Sequence, residues 1–270
     1  MIINDKSKII NFNAQRTNDT DFYIPENFKT DRRNVTKINN IPYYFKNVSV
    51  KEMINELIGT YYSKILQIES ANYQIGISNN KIYALSQLFF KNGYDYMHTD
   101  KYYNTTAYEL LTKRELEISK YYLKQIKMLQ KVKNITMLEK ILKLTAIDLK
   151  TGQVDRNDNN VILKIDQKTN IVDLEALYDF SESYQEEMSS SELKYYDSPF
   201  IILRKNYLSL YHFAKQYPDF INYIETLVNV PICDILTQIE NDFDILLTDQ
   251  EKEYYEERDN SYTELLKKII

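Results

Sequence analysis

Residues 155–160, inside the segment TGQVDRNDNNVILKI (151–165), carry five Asp or Asn side chains in six positions, and the chain then turns apolar. Such a crowd of oxygens suits a plain turn, because Asx side chains hydrogen-bond their own backbone. It equally suits phosphoryl transfer. One carboxylate and one amide can ligate Mg²⁺, which prefers hard oxygen donors. A second carboxylate, clear of the metal, can orient a substrate hydroxyl and accept its proton. That chemistry is mostly positioning and electrostatics, so a short rigid loop beside a strand is a suitable place for it.

The flanking pattern supplies the frame. A strand over 161–165, a turn over 166–170 and a strand over 171–174 predict a hairpin, with Asn160 just before it and Asp179 just beyond it. A tight hairpin returns the chain to its start, so Asn160 and Asp179 meet near its open end with Asp155 beside both. Asp173, on the second strand, is a rival oxygen ligand; alternation points it to the opposite face from Val172 and Leu174. Asp148, on the preceding helix, is expected to cap or brace the loop, and Arg156 to form a structural ion pair.

Upstream, NVTKINNIPYYFK reads as short β segments around an Asn39-Asn40 turn. Ser49 with Glu52 forms a capping-box pattern, and Ile54, Leu57, Ile58, Tyr61, Ile65 and Ile68 then recur at helical spacing. NYQIGI and KIYALSQLFF flank Ser78-Asn79-Asn80 as a hairpin. A kinase-type enzyme needs a lysine on an early strand, paired with a glutamate on the next helix. Lys46 and Glu56 stand in those places, although Glu56 points away from the apolar stripe and must face a cleft. Beyond Gly93 the pattern turns helical: 106–132, 136–150, and 200–270 with breaks at Pro218 and Pro231. The shift near 90–100 divides the chain into a β-rich half, 1–92, and a mostly helical half, 93–270.

Composition narrows the class. The 270 residues are 43% hydrophobic and 27% charged, ordinary for a globular chain. A net charge of −5 without a basic stripe argues against a nucleic-acid partner. No eighteen-residue apolar window exists, so no membrane span is expected. Neither does the start resemble a signal peptide. The cytosol is the expected location, or a secretory route that needs no signal. One cysteine, Cys233, rules out an internal disulfide; its apolar neighbours predict an inert buried thiol. His98 and His212 are expected to have no special role. The four glycines, at 59, 76, 93 and 152, form neither a Walker loop nor a G-x-G-x-x-G fingerprint.

DLKTGQVDRNDNNVILKI, then IVDLEALYDFSES, and earlier NELIGTYYSKILQIESANY, resemble the catalytic core and first long helix of the HipA-like serine/threonine kinases, especially their compact bacterial members. The resemblance implies an α+β, two-lobed protein-kinase-like fold and transfer of the ATP γ-phosphate to Ser or Thr of a protein. It implies Asp155 as the catalytic carboxylate, Asn160 and Asp179 as Mg²⁺ ligands in preference to Asp173, and Lys46 braced by Glu56 on the phosphates of ATP. Ser86, Gln87, Leu88 and Phe89 become the hinge that reads adenine through backbone groups. An antitoxin partner is a further family-level expectation. Thr30 and Thr36, in the segment expected to cover the phosphates, become candidate autophosphorylation sites, and SESYQEEMSSSE (181–192) a candidate activation segment. Two alternatives stand beside this: a pseudokinase using nucleotide as a regulatory ligand, and a kinase of small molecules or lipids.

Overall fold

The structure is a computed structural model that describes residues 1–3, 8–14, 34–99, 101–102, 129–130, 133–156, 160–177, 179–184 and 207–270. In chain order its strands and helices are β1 (Ile2–Ile3), β2 (Ile10–Asn11), β3 (Asn34–Ile38), β4 (Ile41–Asn47), α1 (Val50–Ile65), β5 (Gln74–Ser78), β6 (Lys81–Gln87) and β7 (Tyr94–His98). Then come α2 (Ile135–Thr151), β8 (Val161–Asp166), β9 (Val172–Leu177), α3 (Tyr207–Gln216), α4 (Pro218–Val228), α5 (Ile232–Phe243), β10 (Ile245–Leu246) and α6 (Asp249–Leu266). The helix expected at 106–132, Thr30 and most of the expected activation segment lie outside the described residues.

A five-stranded sheet, ordered β2-β5-β6-β4-β3, forms the first half. Its two hairpins turn at Asn39-Asn40 and Asn79-Asn80, all four with positive φ. Asn tolerates that left-handed region better than most residues, and such pairs favour the turns that match strand twist. Ser49 caps α1 in a complete capping box: its hydroxyl takes the Glu52 N–H, and the Glu52 carboxylate takes the Ser49 N–H at 2.6 Å. Met53 through Thr60 are buried all round the helix, because α1 packs against β6 on one side and α2 and α5 on the other. That is why Glu56, off the apolar stripe, is still buried.

The second half carries a three-stranded sheet, β7-β8-β9. Sequence pattern missed β7, β2 and the small β1–β10 pair. β9 runs to Leu177, beyond the expected end, because a bulge at Ile162/Leu163 lets the hairpin continue in register to Val161 opposite Leu177. Pro218 opens α4 and Pro231 caps α5, as proline's missing N–H allows at a first turn. One continuous core joins α1, the β8–β9 hairpin and the helices through Leu57, Leu163, Phe180, Ile147, Ile224 and Leu266.

Two expectations fail here. Cys233 is exposed: α5 turns Ile232, Ile235, Leu236 and Ile239 inward, and position 233 falls on the other face. Thr36 is not in a loop; it lies on β3, is buried, and its hydroxyl donates to the Asn13 carbonyl at 3.4 Å.

Gly59 is required by packing. A Cβ there would sit 2.2 Å from the Phe180 ring, and Phe180 is itself fully buried with the Arg156 guanidinium 4.7 Å from its ring centre. The ring cannot retreat. Gly59→Ala should therefore cost about 1–3 kcal/mol, as overpacked cores do, seen as a lower urea midpoint. An unchanged midpoint would show that the ring has room.

Candidate active site

Gly152 ends α2 in the left-handed conformation, at φ 62°, and a Cβ there would meet Tyr262 at 2.4 Å. This turn throws Gln153 inward, fully buried. Its side chain does two things at once: Oε1 accepts the Asp155 N–H at 3.1 Å, and Nε2 donates to the Asp179 carbonyl at 2.8 Å. Asn160 closes the loop by donating from Nδ2 to the Asp155 carbonyl at 3.0 Å. Asp155, Asn160 and Asp179 thus belong to one hydrogen-bonded cluster. Sequence reasoning missed Gln153; an unremarkable polar residue after a helix-ending glycine carries no signal of its own.

Asp179 is held from several directions. Its φ is 63°, a sparsely populated conformation for a non-glycine residue. Its N–H donates to Tyr73 Oη at 3.3 Å, and Ser181 Oγ donates to its Oδ1 at 2.6 Å. The next residue, Phe180, donates its N–H to Glu56 Oε2 at 2.7 Å. The expected Lys46–Glu56 pair is not formed. Lys46 Nζ lies 2.8 Å from Asp179 Oδ1 and 3.3 Å from Ser181 Oγ. The lysine assigned to phosphate is thus paired with the carboxylate assigned to a metal.

The charges follow. Burial raises the Asp179 carboxyl, but Lys46, Ser181 and Arg156 outweigh it and hold it below the usual range. Burial lowers the Lys46 ammonium, and Asp179 more than offsets that, leaving it raised. Glu56 is pushed up to about 8 by complete burial and then by the Asp179 charge, against the pull of Lys46 and the Phe180 N–H. Its Oε1 finds no hydrogen-bond partner among the described residues. Glu182, beside Asp155 and Asp179, is raised by burial and by both carboxylates.

A raised carboxyl stabilises the fold fully below its unfolded value, ordinarily 4.5, and that contribution is lost as pH climbs to about 8. Glu56→Gln removes this titration. Lys46 can turn toward the carboxylate as it forms, so the swing should be on the order of 2 kcal/mol. In urea melts without nucleotide, the stability of the wild type relative to Glu56→Gln should fall between pH 5 and 8. Parallel pH profiles would show Glu56 to be ionised throughout.

The remaining candidates sort plainly. Asp148 and Arg156 form a buried pair, with Arg156 Nε 3.0–3.1 Å from both Asp148 oxygens and Nη2 3.0 Å from Oδ1. Asp173 pairs with Lys140 Nζ at 2.8 Å. Ser86 and Gln87 end β6, opposite Tyr44 and Tyr43. The Ser86 hydroxyl donates to the Ala71 carbonyl at 2.7 Å, and the Leu88 N–H to the Pro42 carbonyl at 2.9 Å. Phe89 joins an aromatic cluster with Tyr44 and Phe90. His212 is exposed and His98 part-buried on β7.

No family model and no curated protein sequence matches the chain. Solved structures do. The chain is similar to the Helicobacter pylori proinflammatory kinase CtkA, with a TM-score of 0.54 at 13% identity over 87% of this chain and 92% of that one. It is also similar to the HipA toxin of Shewanella oneidensis MR-1, in a complex of HipA, HipB and operator DNA, with a TM-score of 0.55 at 12% identity. That match covers 84% of this chain and 58% of the other. The fold is therefore a two-lobed, kinase-like α/β architecture, related in structure to the HipA-like kinases. No helix among the described residues is long and apolar enough to cross a membrane.

Proposed function

We propose that the chain is an ATP- and Mg²⁺-dependent phosphotransferase acting on Ser or Thr hydroxyls of a protein. One observation carries this reading within the kinase-like fold: Lys46 rests on Asp179 while the buried Glu56 Oε1 beside them has no partner among the described residues. The donor set fits a magnesium nucleotide. Asp179 and Asn160 offer the hard oxygens such a cation takes, and Lys46 would then be free to hold phosphate oxygens with Glu56 as its counter-charge. Bound there, the metal would neutralise charge on the transferring phosphoryl group.

The chain's own residues supply the rest. Asp155 orients the attacking hydroxyl and accepts its proton. Gln153 keeps the spacing of Asp155 and Asp179 fixed, since it bonds the backbone of both. The hinge backbone at residues 86–89 reads the base. An antitoxin partner is part of the proposal, prompted by the HipB in the Shewanella toxin–antitoxin complex. The Lys46–Asp179 contact also favours a second reading, a nucleotide-regulated protein that transfers nothing.

The test is γ-labelled ATP with and without Mg²⁺, offered alongside Ser, Thr and Tyr peptides and a panel of small hydroxylated molecules. Label on Ser or Thr that requires Mg²⁺ is expected. Transfer to small molecules alone would replace the substrate class, and nucleotide binding without turnover would establish the regulatory reading.

A further inference from the structure

The turn that carries Asp179 is held on its far side, at Ser181, Ser183 and Tyr184, by bonds that lead to α6, a helix that contributes no residue to the cluster above. The first grip runs through Asn55, fully buried on α1. Asn55 Nδ2 donates to the carbonyls of Ser181 and Ser183, at 2.8 and 2.6 Å. Its Oδ1 accepts from the Tyr255 hydroxyl of α6 at 3.1 Å. An amide has a donor end and an acceptor end. The two carbonyls take the donor end of Asn55, and the Tyr255 hydroxyl, which also lies 3.3 Å from the Lys51 carbonyl, meets its acceptor end.

The second grip is at Tyr184, also fully buried. Its N–H donates to the Thr151 carbonyl at 2.8 Å, its hydroxyl to Asp259 Oδ1 at 3.2 Å, and its carbonyl accepts from the Tyr254 hydroxyl. Asp259 is fixed in turn by Lys150 Nζ at 2.8 Å, and Lys150 also reaches Thr263 Oγ1 at 2.9 Å. Apolar packing would stabilise this junction at least as well as a buried ion pair. What this polar network adds, although the buried Ser183 hydroxyl finds no partner among the described residues, is a fixed geometry for the turn backbone.

We propose that α6 is the positioning element of the Asp179 turn, acting through Tyr255–Asn55 and through Tyr254 and Asp259 on Tyr184, so that a disturbance of α6 changes the affinity of the carboxylate cluster for a divalent cation. The consequence for the cation rests on the phosphotransfer reading; the positioning of the turn does not.

Tyr255→Phe keeps the ring and deletes one hydroxyl, and Tyr254→Phe does the same at the other grip. Amide hydrogen exchange at residues 179–184 should accelerate about tenfold or more in either variant, with α4 and α5 unchanged, because the loosening is local. A merely structural loss would speed exchange throughout. In parallel, Mn²⁺ with a non-hydrolysable ATP analogue, followed by electron paramagnetic resonance, should bind about fivefold or more weakly in both variants, as one lost buried hydrogen bond allows. Unchanged exchange at 179–184 overturns the positioning. Selective acceleration with unchanged Mn²⁺ affinity overturns its link to the site. A wild type that binds no Mn²⁺ with nucleotide removes the phosphotransfer reading, and exchange alone then decides the positioning.

Discussion

Replacing Asp155 by Asn should leave a folded chain that binds nucleotide and transfers phosphate about 10²–10⁴-fold more slowly. The backbone around Asp155 is held by groups other than its own carboxylate. Gln153 takes its N–H and Asn160 its carbonyl. Asparagine preserves the size of the side chain but cannot accept the hydroxyl proton, so the loss should fall on kcat. Melting temperature and nucleotide Kd should stay near wild type. Phosphate incorporation, thermal melting and nucleotide titration on the same preparation check all three. Undiminished incorporation would remove Asp155 from the proton-accepting role and point instead to Glu182, which also lies near Asp179.

The parts of this site that could be read from sequence are those with a local signature. The Ser49–Glu52 capping box fixes where α1 begins, and so where Glu56 lies along it. The Asn turns fix two hairpins. Asp155, Asn160 and Asp179 were legible because a hairpin must bring its flanks together. The rest depended on contacts distant in sequence. Glu56 meets Phe180 across 124 residues, and Asn55 meets Tyr255 across 200; no spacing rule reports such pairs. Lys46 stands on the expected strand, and in this structure it pairs with Asp179 and not with Glu56. Burial raises both carboxyls; Lys46, Ser181 and Arg156 bring Asp179 back below its usual range, whereas Glu56, completely buried, stays raised. The exposure of Cys233 is not legible in sequence for a different reason: a hydrophobic stretch does not say which face of a helix turns inward.

The Asp148–Arg156 pair gives the sharpest separation between holding the loop and doing chemistry in it. Both side chains are almost fully buried, at 1% and 3% exposure. Burial pushes the Asp148 carboxyl up and Arg156 only partly offsets this, so the pair as a whole contributes little beyond what apolar packing would. Breaking it is another matter. Asp148→Ala removes the carboxylate that accepts three hydrogen bonds from the buried guanidinium, and breaking such a pair typically costs about 3–5 kcal/mol. For a chain of this size that lowers Tm by roughly 6–20 °C. Asp148→Leu with Arg156→Met removes both charges and should recover most of the lost stability. Activity should not recover with it, because Arg156 also lies against the Phe180 ring next to Asp179 and methionine carries no charge to add to the field that keeps Asp179 ionised. Calorimetry and phosphate incorporation on the single and double variants measure the two effects separately. A single variant that melts within about 2 °C of wild type would mean that the loop is held by Gln153 and Asn160 alone, since so small a shift is under roughly 1 kcal/mol.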